Sequence, residues 1–197
     1  MTPVNASTTL PRHLSDAALA RLVVIDVQER LCAAMPAKVL NRVVQNASLL
    51  TTAALRIGVP VIVSEQYPAG LGGTVTELRE LLTPACAVIT KTRFSLAGLD
   101  AFEAALGADP GRSELVLLGM EAHVCVLQTA FDLADRGHTV RIVEDAICSR
   151  RLEDYQNALE RLRAAGLSVV TSESLVFEWL RDAAHPAFRE LQGLLRR

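Results

Sequence analysis

The sequence predicts a three-layer α/β/α domain built on a parallel sheet. Three observations carry this. Short, wholly apolar, β-branched runs recur along the chain. Stretches with helical apolar spacing separate them. Half of the 197 residues are apolar and mean hydropathy is +0.27, enough to build one large core. Strands alternating with helices mean βαβ units, and right-handed crossovers then put helices on both faces of the sheet.

Leu22-Val23-Val24-Ile25 reads as a first strand, apolar throughout as a strand buried on both faces must be. Between Val39 and Ile57, apolar residues at 39, 40, 43, 44, 47, 50, 54 and 57 form one helix face, which Gly58 and Pro60 end. Val61-Ile62-Val63, Ala87-Val88-Ile89 and Leu115-Val116-Leu117-Leu118 are the next three strands. The spacing predicts a helix from Cys125 to Arg136, capped by Gly137. Val140-Arg141-Ile142-Val143 is a fifth strand. Leu152, Tyr155, Ala158, Leu159, Leu162 and Ala165 mark a further helix, closed by Gly166, and Ser168-Val169-Val170 a weaker sixth strand. The tail from Ser174 to Leu195 reads as two short helices parted near Pro186.

Lys plus Arg number 20 and Asp plus Glu 22, a net charge of −2. That offers no basic excess to neutralise a phosphate backbone, and 4% aromatics offer few stacking surfaces, so nucleic acid is not an expected partner. No apolar run is long enough to span a membrane, and no membrane association is expected. The first twenty residues hold no apolar core of a secretory signal. The cysteines at 32, 86, 125 and 148 form no C-x-x-C pair. Reduced thiols in a cytoplasmic protein are the simplest reading.

In parallel sheets ligands bind beyond the carboxyl ends of the strands. Asp26 follows the first strand, Ser64-Glu65-Gln66-Tyr67 the second, and Thr90-Lys91-Thr92-Arg93 the third. Gly119 and Met120-Glu121-Ala122-His123-Val124-Cys125 follow the fourth. A carboxylate, an ammonium and a thiol thus converge on one edge. The chemistry is coherent: a nearby cation and a helix N-terminus favour a thiolate nucleophile, backbone N–H groups can hold an oxyanion, and the carboxylate can shuttle the proton. An inert buried thiol, a turn-capping Asp and a solvated Lys are the bland alternatives at these positions.

The segments Ile25-Asp26-Val27-Gln28, Lys91-Thr92-Arg93-Phe94-Ser95 and Gly119-Met120-Glu121-Ala122-His123-Val124-Cys125-Val126 resemble the isochorismatase-like cysteine hydrolases, in order and at family-like spacing over roughly residues 20–185. Glu65-Gln66-Tyr67-Pro68, Gly70-Leu71-Gly72-Gly73-Thr74-Val75 and Glu144-Asp145-Ala146-Ile147 look most like its uncharacterised isochorismatase-domain branch. The resemblance implies a six-stranded parallel sheet in the order 3-2-1-4-5-6 and a catalytic triad of Asp26, Lys91 and Cys125. It implies a non-proline cis peptide at Met120–Glu121 and an oxyanion hole from the Glu121 and Cys125 N–H groups. It further implies homo-oligomers. We expect residues 1–19 to form an irregular N-terminal arm and 20–197 a single hydrolase domain.

Departures narrow the activity. The nicotinamidases of the family carry an Asp-x-His metal pair after the second strand. Here Ser64-Glu65-Gln66-Tyr67 stands there without His, so no catalytic metal is expected and nicotinamide is disfavoured. Isochorismate-cleaving members lack the nucleophilic Cys, which is present here as Cys125. Gln28-Glu29-Arg30 replaces any Gly-rich fingerprint after the first strand, so no dinucleotide, and no other cofactor, is expected.

Arg93 is the rival cation to Lys91. His123, two residues before Cys125, cannot share its helix face and is a pocket wall or interface residue before it is a base. Leu31, Gln66, Tyr67, Phe94 and His123 are the substrate-pocket candidates. Trp179 and Phe177 belong to the core or a subunit interface. The expected activity is metal-independent hydrolysis of a small amide or related C–N bond through a thioester. The alternatives are a non-catalytic oligomeric scaffold or regulator with this fold and a thiol redox sensor using Cys125.

Overall fold

The computed structural model describes residues 13–196. Six parallel strands form one sheet: β1 (Ala20–Ile25), β2 (Val61–Gln66), β3 (Ala87–Lys91), β4 (Glu114–Met120), β5 (Thr139–Cys148) and β6 (Ser168–Val170). Their spatial order is β3-β2-β1-β4-β5-β6, with β1 and β4 at the centre. The expected topology is therefore the observed one. Every residue of β1 and β4 is buried, as central strands covered on both faces require.

Among the described residues, nine α-helices connect and flank the strands: α1 (Glu29–Ala33), α2 (Ala37–Ile57), α3 (Pro68–Leu71), α4 (Thr76–Arg79), α5 (Asp100–Gly107), α6 (Leu127–Asp135), α7 (Leu152–Ala164), α8 (Ser172–Leu180) and α9 (Phe188–Leu195). Helix α2 buries Val43, Ala47, Leu50 and Ala54 against the sheet, and Gly58 ends it at φ +79°. It packs across β1, β2, β4 and β5 and meets α4, α8 and α9. Helices α6 and α7 pack on each other, with α6 against β5 and α7 against β6.

Several boundaries differ from the sequence reading, and the differences concern the site. β2 runs on through Ser64-Glu65-Gln66, β3 through Thr90 and Lys91, β4 through Gly119 and Met120, and β5 to Cys148. In β2 and β3 the apolar run marks only the part that faces core, whereas ladder hydrogen bonding continues into the polar end. Cys125 does not open the helix. A π-helical turn over Ala122–Val126 contains it, and α6 begins at Leu127. Helices α1, α3, α4 and α5 were not expected; all but α5 have five residues or fewer, too few to display a helical period.

Residues 13–19 form no helix and enter strand β1 only at Ala20, yet they are packed. Ser15 is buried: its N–H donates to Glu178 at 2.7 Å and its hydroxyl accepts from Trp179 Nε1 at 2.9 Å. Trp179 is thus a core residue, whereas Phe177 is exposed and its ring meets that of Phe188. The part of the expected arm over residues 1–12 lies outside the described residues.

Candidate active site

Register sets the site. Ile25 lies opposite both Ser64 on β2 and Gly119 on β4, and Gln66 lies opposite Lys91 on β3. Asp26 leaves β1 with φ +52°, its N–H donating to the Ser64 carbonyl at 3.1 Å. Strand alternation selects the cation. On β3, Val88 and Thr90 are exposed while Ile89 and Lys91 point inward. Arg93, beyond the strand, is at the surface. The ammonium that meets Asp26 is therefore that of Lys91.

Lys91 Nζ donates to Asp26 Oδ2 at 2.7 Å, and both side chains are 0% exposed. The Ser64 hydroxyl donates to the other oxygen, Asp26 Oδ1, at 2.6 Å. Lys91 Nζ also donates to Gln66 Oε1 at 2.8 Å. The Cys125 thiol, buried in the π-helical turn, interacts with both Asp26 and Lys91. Burial first, then the Asp26 carboxylate, push the thiol up to about 12; Lys91 opposes them without overcoming them. Loss of solvation outweighs one cation already neutralised by its carboxylate, which favours the protonated form of the thiol.

The turn before Cys125 is anchored by the residues that follow β5. The Met120–Glu121 peptide is cis. The buried Glu121 carboxylate accepts from both the backbone N–H and Nε of Arg150, each at 3.0 Å. His123 Nδ1 and the Ser149 hydroxyl share a hydrogen bond of 2.9 Å, and His123 Nε2 lies 3.9 Å from Asp154. His123 thus faces the start of α7.

The remaining pocket candidates separate. Tyr67, 57% exposed, lines a cavity of about 360 Å³ with Pro68, Ala69, Thr90, Thr92 and Leu99, alongside Lys91. Gln66 is turned into the polar site and donates through Nε2 to the Thr92 carbonyl at 2.8 Å. Phe94 is 50% exposed, and Leu31 packs half-buried on the core; neither they nor His123 line that cavity. Glu65 is occupied, its Oε1 accepting from the N–H and hydroxyl of Thr74, both at 2.7 Å. Among the described residues no group of three His, Cys, Asp or Glu side chains could hold a metal. Among them, too, no helix is long and apolar enough to cross a membrane.

Sequence reasoning missed Ser64, Glu121 through its side chain, and Gln28. The signal for Ser64 was a lone hydroxyl ending an otherwise apolar strand. Gln28 is buried two residues after Asp26, and its side chain bonds Gln66 and Gly72. A buried Gln so close to a buried Asp was a readable sign of a polar network.

Comparison with known proteins agrees with this fold. A model of the isochorismatase domain matches residues 20–174. The chain is 44% identical over 171 residues to isochorismatase domain-containing protein 1 of Danio rerio, covering 87% of this chain and 59% of that protein. The structure described as MAR1 ribonuclease from Caenorhabditis elegans superposes with a TM-score of 0.86 at 36% identity, over 93% of each chain. The YcaC gene product of Escherichia coli, an octameric hydrolase of unknown specificity, superposes with a TM-score of 0.78 over 94% of this chain and 97% of that one. At 24% identity, that last likeness concerns the fold. With most of its length matched by the domain model and by such relatives, the chain belongs to the isochorismatase-domain family, a family of isochorismatase-like hydrolases.

Proposed function

We propose that this protein is a metal-independent cysteine hydrolase of small amides or related C–N bonds, with Asp26, Lys91 and Cys125 as its catalytic triad. One observation carries the reading. The Cys125 thiol, the Asp26 carboxylate and the Lys91 ammonium meet, all buried, at the carboxyl edge of the sheet. A protonated nucleophile beside a carboxylate needs that carboxylate as its base.

Asp26 takes the Cys125 proton as sulfur attacks the substrate carbonyl, forming the S–C bond. The oxyanion is held by the Glu121 and Cys125 N–H groups. Lys91 balances the charge that builds on sulfur and keeps Asp26 aimed. Collapse breaks the C–N bond, and protonated Asp26 gives its proton to the departing amine. Water then attacks the thioester, yielding its proton to Asp26. The S–C bond then breaks, the acid leaves, and sulfur takes the proton back from Asp26. The cavity that Tyr67 and Lys91 line together is the approach by which a substrate would reach the buried side chains.

The four unpaired thiols support a cytoplasmic setting. The octameric state of the YcaC hydrolase supports self-association of this chain. The C. elegans relative's description as a ribonuclease raises RNA as a rival substrate. A net charge of −2 favours small molecules instead.

The test is turnover of a panel of small amides, with a labelled RNA alongside, by wild type and Cys125→Ala. Quenched reactions are followed by intact mass. The expected result is amide hydrolysis that Cys125→Ala abolishes, with an acyl adduct on Cys125 in the wild type. Hydrolysis retained by Cys125→Ala, or cleavage of RNA alone, would reject the mechanism.

A further inference from the structure

Gln66 touches Lys91 and has no part in the chemistry just described. A buried ammonium is out of reach of bulk water, so its N–H groups need fixed acceptors. Lys91 Nζ has Asp26 Oδ2 at 2.7 Å and Gln66 Oε1 at 2.8 Å, and it also interacts with the Cys125 thiol. The Gln66 amide can present only its oxygen to Lys91, because its Nε2 is committed to the Thr92 carbonyl at 2.8 Å. The Gln66 backbone is fixed in turn. Its N–H donates to Gln28 Oε1 at 2.7 Å, and its carbonyl accepts from Gln28 Nε2 at 3.0 Å.

These contacts close a ring. Asp26 and Gln28 come from the segment after β1, Gln66 from the end of β2, and Lys91 from the end of β3. Each member is bonded to the next, and Asp26 and Gln28 are joined along the chain and by the Gln28 N–H to Asp26 carbonyl bond of 2.9 Å. The sequence reading placed Gln66 in a substrate pocket; the contacts give it another task. We propose that Gln66 is a positioning residue. By accepting from Lys91 while anchored to Thr92 and Gln28, it holds the ammonium where it serves both Asp26 and Cys125. This rests on the triad reading above. Without Gln66, the ammonium is free to settle on Asp26 and give up part of its hold on the sulfur.

The experiment measures the iodoacetamide alkylation rate of each cysteine against pH by peptide mass spectrometry. It compares wild type, Lys91→Met, Gln66→Met and Gln66→Asn. Met removes the hydrogen bonds at similar length. Asn keeps a polar side chain but is too short to span Lys91 and Thr92. Alkylation proceeds through the thiolate, so losing cationic support slows it in proportion. Both Gln66 variants are expected to slow Cys125 roughly three- to tenfold at fixed pH, in the direction of Lys91→Met. Cys32 and Cys148, also buried, should keep their rates. If the Gln66 variants follow wild type while Lys91→Met slows Cys125, the positioning role is rejected and the triad stands. If Lys91→Met also follows wild type, the triad reading falls with it. A rise at Cys32 and Cys148 in the Gln66 variants would mean loosened packing and would reject the role too.

Discussion

A side chain on Gly119 would collide with Ile25: a Cβ built there lies 2.0 Å from the Ile25 carbonyl oxygen. Gly119 also has φ +115°, a conformation that L side chains rarely adopt. The contact sits where β1 and β4 end, one residue before Asp26 and two before Glu121. Close approach of these two backbones therefore sets the spacing between Asp26 and the turn that carries the Cys125 thiol.

Gly119→Ala is accordingly expected to destabilise the protein by about 3 kcal/mol or more, combining backbone strain with overpacking against a carbonyl that cannot retreat. Urea unfolding of both proteins checks this. A loss below about 1 kcal/mol would mean that the strands part easily and that the spacing is not set here.

Much of this was legible in the sequence, and the limits have physical causes. The alternating strands and helices and the convergence of Asp26, Lys91 and Cys125 follow from apolar runs and the residues that close them, whereas the strand order follows from the resemblance to the isochorismatase-like hydrolases. The choice of Lys91 over Arg93 becomes geometric only once β3 is known to extend to residue 91, because alternation then points Lys91 inward. The state of the thiol was not legible. A cation in the sequence says nothing of the burial and the neighbouring carboxylate that outweigh it at Cys125. His123 could not be placed either, since its partners Ser149 and Asp154 lie 26 and more residues away.

The neutral resting thiol gives a pH prediction. With Cys125 pushed up to about 12, its thiolate fraction at neutral pH is minute and grows about tenfold for each pH unit up to about pH 11. Alkylation of Cys125 in the free protein should therefore climb steeply from pH 7 to pH 10, with no plateau below neutrality. Time courses of adduct formation read this directly. Rapid modification at pH 6 would show that the free protein holds a thiolate after all.

Stability should fall in alkali for the same reason. Burial raises Cys32 to about 11 and Cys125 and Cys148 to about 12. In the unfolded chain a thiol titrates near 8.5. Above that pH the native state binds more protons than the unfolded one, so the free energy of unfolding decreases as pH rises. Below it, both states hold the proton and no difference remains. The slope is about −1.4 kcal/mol per pH unit for each thiol. Urea midpoints measured from pH 8 to pH 10.5 should drop, and replacing Cys148 by Ala should make the decline shallower. A flat profile in both proteins would contradict the burial of these thiols.

The ion pair between Glu114 and Arg141 ties the start of β4 to β5, far from the carboxyl edge. Glu114 Oε2 lies 3.0 Å from Arg141 Nε, with side chains 4% and 2% exposed, and the Ser15 hydroxyl is bonded to Glu114 Oε1. Arg141 Nη1 also donates to the His13 carbonyl at 3.0 Å and to the Ser168 hydroxyl at 3.1 Å. One buried pair thus gathers residues 13–15, β4, β5 and β6. Glu114→Ala takes away the carboxylate that the buried Arg141 guanidinium faces, and breaking a buried pair from one side costs about 3–5 kcal/mol. The double variant Glu114→Leu with Arg141→Leu removes both charges and should recover much of that loss, because the desolvation penalty disappears along with the attraction. Thermal and urea unfolding of the single and double variants separate the two effects. Equal destabilisation in both would mean that the pair contributes through its hydrogen bonds to His13, Ser15 and Ser168 and not through charge.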